Sequence, residues 1–402
     1  MYEREFSIDG SKAKIIEAVS ALSLEYSCSY ECKSKLVALC KLRNSRGVDI
    51  SQGAGKGRNC LVGAIAESLE HFVLDHHSSR GLVSARVDEV RNQRILNLDG
   101  LLANLPDTNA LIDCFEMADM QDRAVAILPA VLQLPHRNVA ERTAALPEAS
   151  YLTRYSSNSG AAFGCSKDEA ILHGLNELLE RHTLSKILMS LCGQHERLLL
   201  QSPSPGVLDE VFSADNQLRA LSENMKLLVT KTIFGVYFCM AIPKKPDGRY
   251  PICPTGSGCS VSPHVAIERA VTELLQTLTL FNQTEKVNDQ KAYELMRRSL
   301  KLRPLISLEI LRNWDLTSNR YDPPRRVSVR DQIDYVLEKI FATGRRVFHR
   351  TLFQFSNGCV VTQLYIPGLE RFNLVRAGIP VVPQHLLHAN AALRCVSAKS
   401  HA

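Results

Sequence analysis

The chain has 402 residues, 45% hydrophobic and 22% charged, with 48 Lys and Arg against 42 Asp and Glu, a net charge of +6. This balance excludes disordered and fibrous classes, and it is too dilute to imply a nucleic-acid partner. No apolar run approaches the roughly 18 residues of a membrane span, and residues 1–10 lack the apolar core of a signal peptide. A cytoplasmic protein with reduced thiols and no membrane partner is therefore expected.

In chain order, a helix is expected over residues 11–24 and a strand over 35–43. A glycine cluster follows at Gly53, Gly55 and Gly57, and then an apolar, proline-free helix over 60–74. Residues 80–147 are mixed, with a strand at 124–132. A second small-residue cluster, 156–164, leads into a helix over 167–191. Strands at 225–229 and 235–242 precede a third glycine pair, Gly256 and Gly258, and a helix over 264–281. A basic, helical section at 291–330, strands at 346–355 and 359–366, and a polar tail complete the chain. Alternating strands and helices without a Pro- or Ser-rich linker predict a single α/β domain over 1–402, with 1–45 as an N-terminal extension.

One local pattern occurs three times. Gly55-Lys56-Gly57 precedes a helix carrying Glu67 and Glu70. Gly160 and Gly164 precede one carrying Glu177 and Glu180, and Gly256-Ser257-Gly258 precede one carrying Glu273 and Gln276. Each pair is spaced i,i+3, which puts both side chains on one helix face. Their neighbours are apolar, as in Gly174-Leu-Asn-Glu177-Leu-Leu-Glu180, so the acids are expected to be partly buried. A buried carboxylate must be protonated, paired or metal-bound. A lone ExxE pair is usually a solvated face, but three copies behind glycines point to convergence. Five carboxylates and an amide form an all-oxygen cage that suits Mg²⁺ rather than Zn²⁺. Mg²⁺ normally shares its shell with phosphates, and backbone N–H groups at helix N-termini bind the same anions. A nucleoside triphosphate held with Mg²⁺ between the helices is thus predicted, with Lys56 and Arg181 neutralising phosphate charge. The loop is not a P-loop, because Gly57 follows Lys56 where Ser or Thr would be required.

Three other signals are weaker. Asp75-His76-His77 resembles a phosphoesterase triplet, but it closes a helix and has no upstream DxD partner. Cys28, Cys32 and Cys40 lack a zinc-finger spacing and read as free thiols. Residues 297–330 hold nine Arg and Lys against three acids, a solvated face or a docking surface for an acidic peptide.

The motifs together resemble the YcaO family. Gly55-Lys56-Gly57 resembles its GKG element, and Ser157-Asn158 through Glu180-Arg181 its central S-N-G…ExxER signature. Ala270 to Gln276 resembles its A-x-T-E-x-x-Q helix, and Ile366-Pro367-Gly368-Leu369-Glu370 its late P-G-L-E element. The resemblance implies a YcaO-like α/β fold, with repeated sheet and helix units around a central nucleotide site. It also implies ATP- and Mg²⁺-dependent phosphorylation of a peptide amide oxygen, so that a Cys, Ser or Thr side chain closes an azoline or sulfide yields a thioamide. By position, Glu67, Glu70, Glu177, Glu180 and Glu273 would ligate Mg²⁺. Lys56, Glu169, Arg181, Arg269 and Gln276 would line the nucleotide. The implied partners are a ribosomally made precursor peptide and a separate leader-peptide-binding protein; homodimerisation is left open. The chain departs from the family at His71, Cys165 and Leu278, and residues 396–402 lack the PxPxP ending common in azoline-forming members. These departures widen the products to thioamides and keep a second expectation, a non-catalytic nucleotide-binding scaffold for a partner enzyme.

Overall fold

Most of the glycines that precede the acidic helices lie inside strands. In the computed structural model, which describes residues 3–135, 137–322 and 327–387, Gly53 and Gly55 belong to strand Asp49–Lys56. Gly164 ends strand Ala161–Gly164, and Gly256 and Gly258 belong to strand Gly256–Ser260. Each strand is followed at once by an acidic helix, Cys60–His77, Lys167–Leu191 or Pro263–Leu280. The helix lies so close on its strand that a side chain has no room. A Cβ at Gly55 would stand 1.7 Å from the Cys60 carbonyl oxygen, and one at Gly256 2.2 Å from that of Ala270. Close backbone approach is therefore what these glycines provide. Only Gly57 and Gly160, at φ +76° and +90°, serve as true turn residues beside the site.

The first acidic helix covers a three-stranded antiparallel sheet, Glu25–Tyr30, Val37–Arg43 and Asp49–Lys56, together with helix Ile8–Ala21. The third covers a second antiparallel sheet, ordered Gly256–Ser260, Tyr237–Pro243, Met225–Lys231. The second acidic helix packs on a six-stranded sheet that runs Leu82–Arg86, Leu111–Asp119, Phe348–Gln354, Val360–Tyr365, Ala161–Gly164, with Val125–Pro129 beside Leu111–Asp119. All these pairings are antiparallel.

Helix Lys167–Leu191 is buried on most of its surface, from Ala170 to Met189, as expected for a helix enclosed by its neighbours. Its start is set by Ser166, whose Oγ accepts the Glu169 N–H at 3.2 Å. Ser262 caps the third helix in the same way, with Pro263 in the first turn. The section expected to be helical at 291–330 is one longer helix, Gln283–Arg297, followed by short helices Pro304–Ser307 and Glu309–Asn313 and strand Ser318–Asn319, and helix Val329–Phe341 was not anticipated. Among the described residues, no helix is long and apolar enough to cross a membrane, and the cysteines are all free thiols.

Candidate nucleotide and metal site

The three acidic helices bring their carboxylates to one cleft. Glu70 accepts the Phe163 N–H at 2.8 Å, and Glu177 accepts the Gly160 N–H at 3.1 Å. Glu180 accepts from Ser257 Oγ at 2.7 Å, and Glu67 from the Ala54 N–H at 3.3 Å. Each acid thus reaches across to a glycine-bearing strand or turn, two of them to another unit's. Burial pushes Glu70 up to about 8, and the neighbouring charges of Glu177 and Glu67 add to the effect against the Phe163 hydrogen bond. Burial likewise raises Glu67, Glu177 and Glu180, and the charge of Glu273 raises all three further. These are carboxylates short of positive charge.

Glu273 is different. Burial pushes it up, but Lys56 and Arg181 outweigh burial and hold it below its ordinary value. Its Oε2 lies 2.7 Å from Lys56 Nζ. Arg181, 3.9 Å from Glu177, is held more firmly protonated by Glu180, Glu177 and Glu273, although burial alone would lower it. Lys56, Arg181 and the five glutamates therefore share one electrostatic neighbourhood.

The other predicted nucleotide residues are engaged elsewhere. Glu169 accepts the Glu5 N–H at 2.6 Å and the Cys165 N–H at 3.1 Å. Arg269 donates to the Cys259 carbonyl at 3.0 Å and pairs with Glu3 at 2.5 Å. Glu3 also accepts from Ser260 Oγ and from Asn176 Nδ2, the latter at 3.2 Å. The N-terminal segment thus threads between the second and third units. Gln276 lies one turn beyond Glu273 and is half-buried.

Sequence reasoning passed over Glu3, Arg4 and His173. Desolvation, with the charges of Arg269, Lys56 and Arg4 nearby, pushes His173 down to about 3. Its spacing, four residues after Glu169 and four before Glu177, places it on the acidic face and was the available signal. No local pattern announces Glu3. Of the basic run, Arg297, Arg312 and Arg330 are tied to Glu294, the Pro243 carbonyl and Asp334, while Arg325 and Arg326 lie outside the described residues.

Among the described residues, no three His, Cys, Asp or Glu groups converge on a single metal-sized point. The carboxylates instead take backbone N–H, hydroxyl and Lys56 partners. Their chemistry nevertheless fits a hard cation, because the donors are all oxygens and the excess charge is negative. Side-chain rotation about the helix positions would be needed to close a coordination shell.

An acid-rich cleft between strand–helix units, flanked by Lys56 and Arg181, is the arrangement of a protein that binds Mg²⁺ with a nucleotide. The sequence profile described as YcaO cyclodehydratase, ATP- and Mg²⁺-binding, matches residues 53–370, and the chain belongs to that family. A protein of Rhizobium leguminosarum bv. trifolii, uncharacterised and encoded in the tfuA 3′ region, is 23% identical over 354 residues, 83% of this chain and 80% of its own. An uncharacterised Haemophilus influenzae protein is 28% identical over 263 residues, 57% of this chain and 41% of its own.

The fold is similar to YcaO from Methanopyrus kandleri bound with AMPPCP and Mg²⁺, at TM-score 0.60 and 17% identity over 94% of this chain and 96% of that one. It is also similar to a heterocyclase in complex with substrate and cofactor, at TM-score 0.63 and 18% identity over 92% of this chain. This chain spans only 54% of that heterocyclase. The microcin synthetase McbBCD complex of E. coli offers a third neighbour, at TM-score 0.52 and 14% identity over 85% of this chain and 86% of that one.

Proposed function

We propose that this chain uses ATP to activate backbone amides of a ribosomally made peptide. The observation that carries it is the set of four raised carboxylates, Glu67, Glu70, Glu177 and Glu180, facing Lys56 and Arg181. An amide oxygen is a poor leaving group until it carries a phosphoryl, and transfer of that group is catalysed mainly by positioning and charge neutralisation. Glu67, Glu70, Glu177, Glu180 and Glu273 would hold Mg²⁺, which when bound neutralises phosphate charge. Lys56 and Arg181 supply the remaining positive charge, and Gln276 extends the third helix's contribution. Glu169 and Arg269 would act on the nucleotide by fixing the N-terminal segment against its site, or directly once that segment moves.

The product would be an azoline if a Cys, Ser or Thr side chain adds to the activated carbon, and a thioamide if sulfide adds. The heterocyclase held with its substrate and the microcin synthetase McbBCD complex support a peptide substrate and a partner protein for this chain, and that partner would bind the leader segment. Purified protein, partner, precursor peptide, Mg²⁺ and ATP should give ATP consumption together with peptide mass change. Loss of one water marks an azoline, and exchange of one oxygen for sulfur marks a thioamide. Nucleotide binding without either change, in the presence of partner and peptide, contradicts catalysis and favours the scaffold.

A further inference from the structure

A cavity of about 660 Å³ opens beside the acidic cleft, lined among others by Ser51, Gln52, His71, Asp75, Leu134 and Asn158. It touches the site at two points. His71 Nε2 stands 3.8 Å from Glu67 Oε1, and Asn158 begins the turn whose Gly160 N–H binds Glu177. Lys56 and Arg181 do not line it. Phosphoryl transfer needs the acceptor and the leaving group on opposite sides of the transferring phosphorus. If the nucleotide lies toward Lys56, Arg181 and the third helix, the acceptor must approach from the side of this cavity.

The wall is polar and continuous with the acidic site. Ser51 and Gln52 belong to strand Asp49–Lys56, where the Gln52 carbonyl accepts from His71 Nδ1 at 2.7 Å and the Ala54 N–H is taken by Glu67, so a bound peptide would meet side chains here and not a free sheet edge. The volume lies within the range of ligand pockets. Of the charged groups, Lys41 is paired with Asp49 at 2.8 Å and Arg137 with Glu141 at 2.7 Å, while Asp75 is exposed and has no ion pair among the described residues.

We propose that this cavity is the acceptor-peptide site and that Asp75 selects a basic side chain next to the amide that reacts. The inference rests on the amide-activation reading above. Its test uses a library of hexapeptides with a central benzoylphenylalanine, irradiated on the full-length protein with a non-hydrolysable ATP analogue and Mg²⁺. Crosslinks are expected at residues 51–52, 75 and 134–135, with Lys or Arg enriched in the captured peptides. Asp75→Trp should reduce labelling at least tenfold, and Asp75→Lys should switch the enrichment to Asp or Glu. The analogue's affinity, measured separately by calorimetry, should stay within twofold in both variants. Crosslinks elsewhere or none, or an unchanged preference in Asp75→Lys, overturn the site assignment. Failure of the wild type to bind the analogue would instead strike the amide-activation reading.

Discussion

The first two acidic helices and the third meet at one cleft but balance charge in opposite ways. Glu67, Glu70, Glu177 and Glu180 lean on backbone N–H groups and a hydroxyl, and all four are raised by burial. On the third helix, Glu273 is matched by Lys56, and Arg269 is matched by Glu3. Nearby cations, Arg181 at 3.9 Å from Glu177 among them, do not offset burial at these four acids, so the cluster favours added positive charge. In the proposed function, the ion pairs of the compensated side are the ones a nucleotide's phosphates exchange with.

The sharpest way to break the contrast is to remove one of the raised acids. Glu177→Ala should lower amide modification by about a thousandfold or more, comparable to losing a central electrostatic group. Its melting temperature should change little, because relief of the burial cost offsets the lost Gly160 hydrogen bond and Arg181 pairing; a marked fall would make Glu177 structural. Removing the matching cation tests the other side. Lys56→Met should weaken nucleotide binding roughly tenfold to a hundredfold, the range of a charge-assisted contact, as read by calorimetry.

The pH dependence of stability sharpens the comparison further. Folded and metal-free, Glu70 holds its proton up to about pH 8, against an ordinary value of 4.5. The folded state therefore binds more protons than the unfolded one across that window, and stability falls as pH rises through it. Denaturant titrations should show this decline, with a shallower slope in Glu70→Gln and in wild type saturated with Mg²⁺ and nucleotide. The smallest effect is expected at Glu3. Glu3→Ala frees Arg269 and should strengthen nucleotide binding a few-fold; weaker binding would mean that the segment builds the site and does not compete for it.

The acids were legible in the sequence because i,i+3 spacing inside apolar helices is a local signal with a local cause. Their strands were not. Gly53, Gly55, Gly256 and Gly258 hid strand character, since glycine has low strand propensity and here serves close helix packing that only tertiary structure reveals. Strands Leu82–Arg86 and Leu111–Asp119 were lost in a stretch whose alternation is broken by polar residues. The placement of Glu3 against Arg269, 266 positions away in sequence, follows from chain threading, which no window of residues encodes.

The central claim is that the four raised carboxylates hold Mg²⁺ for a bound nucleotide. Calorimetric titration of a non-hydrolysable ATP analogue, with and without Mg²⁺, in wild type and Glu180→Gln, addresses it most directly. Binding that requires Mg²⁺ in wild type and is lost in Glu180→Gln is the predicted result. Equal affinity without Mg²⁺, or undiminished Mg²⁺-dependent binding in the variant, would contradict it.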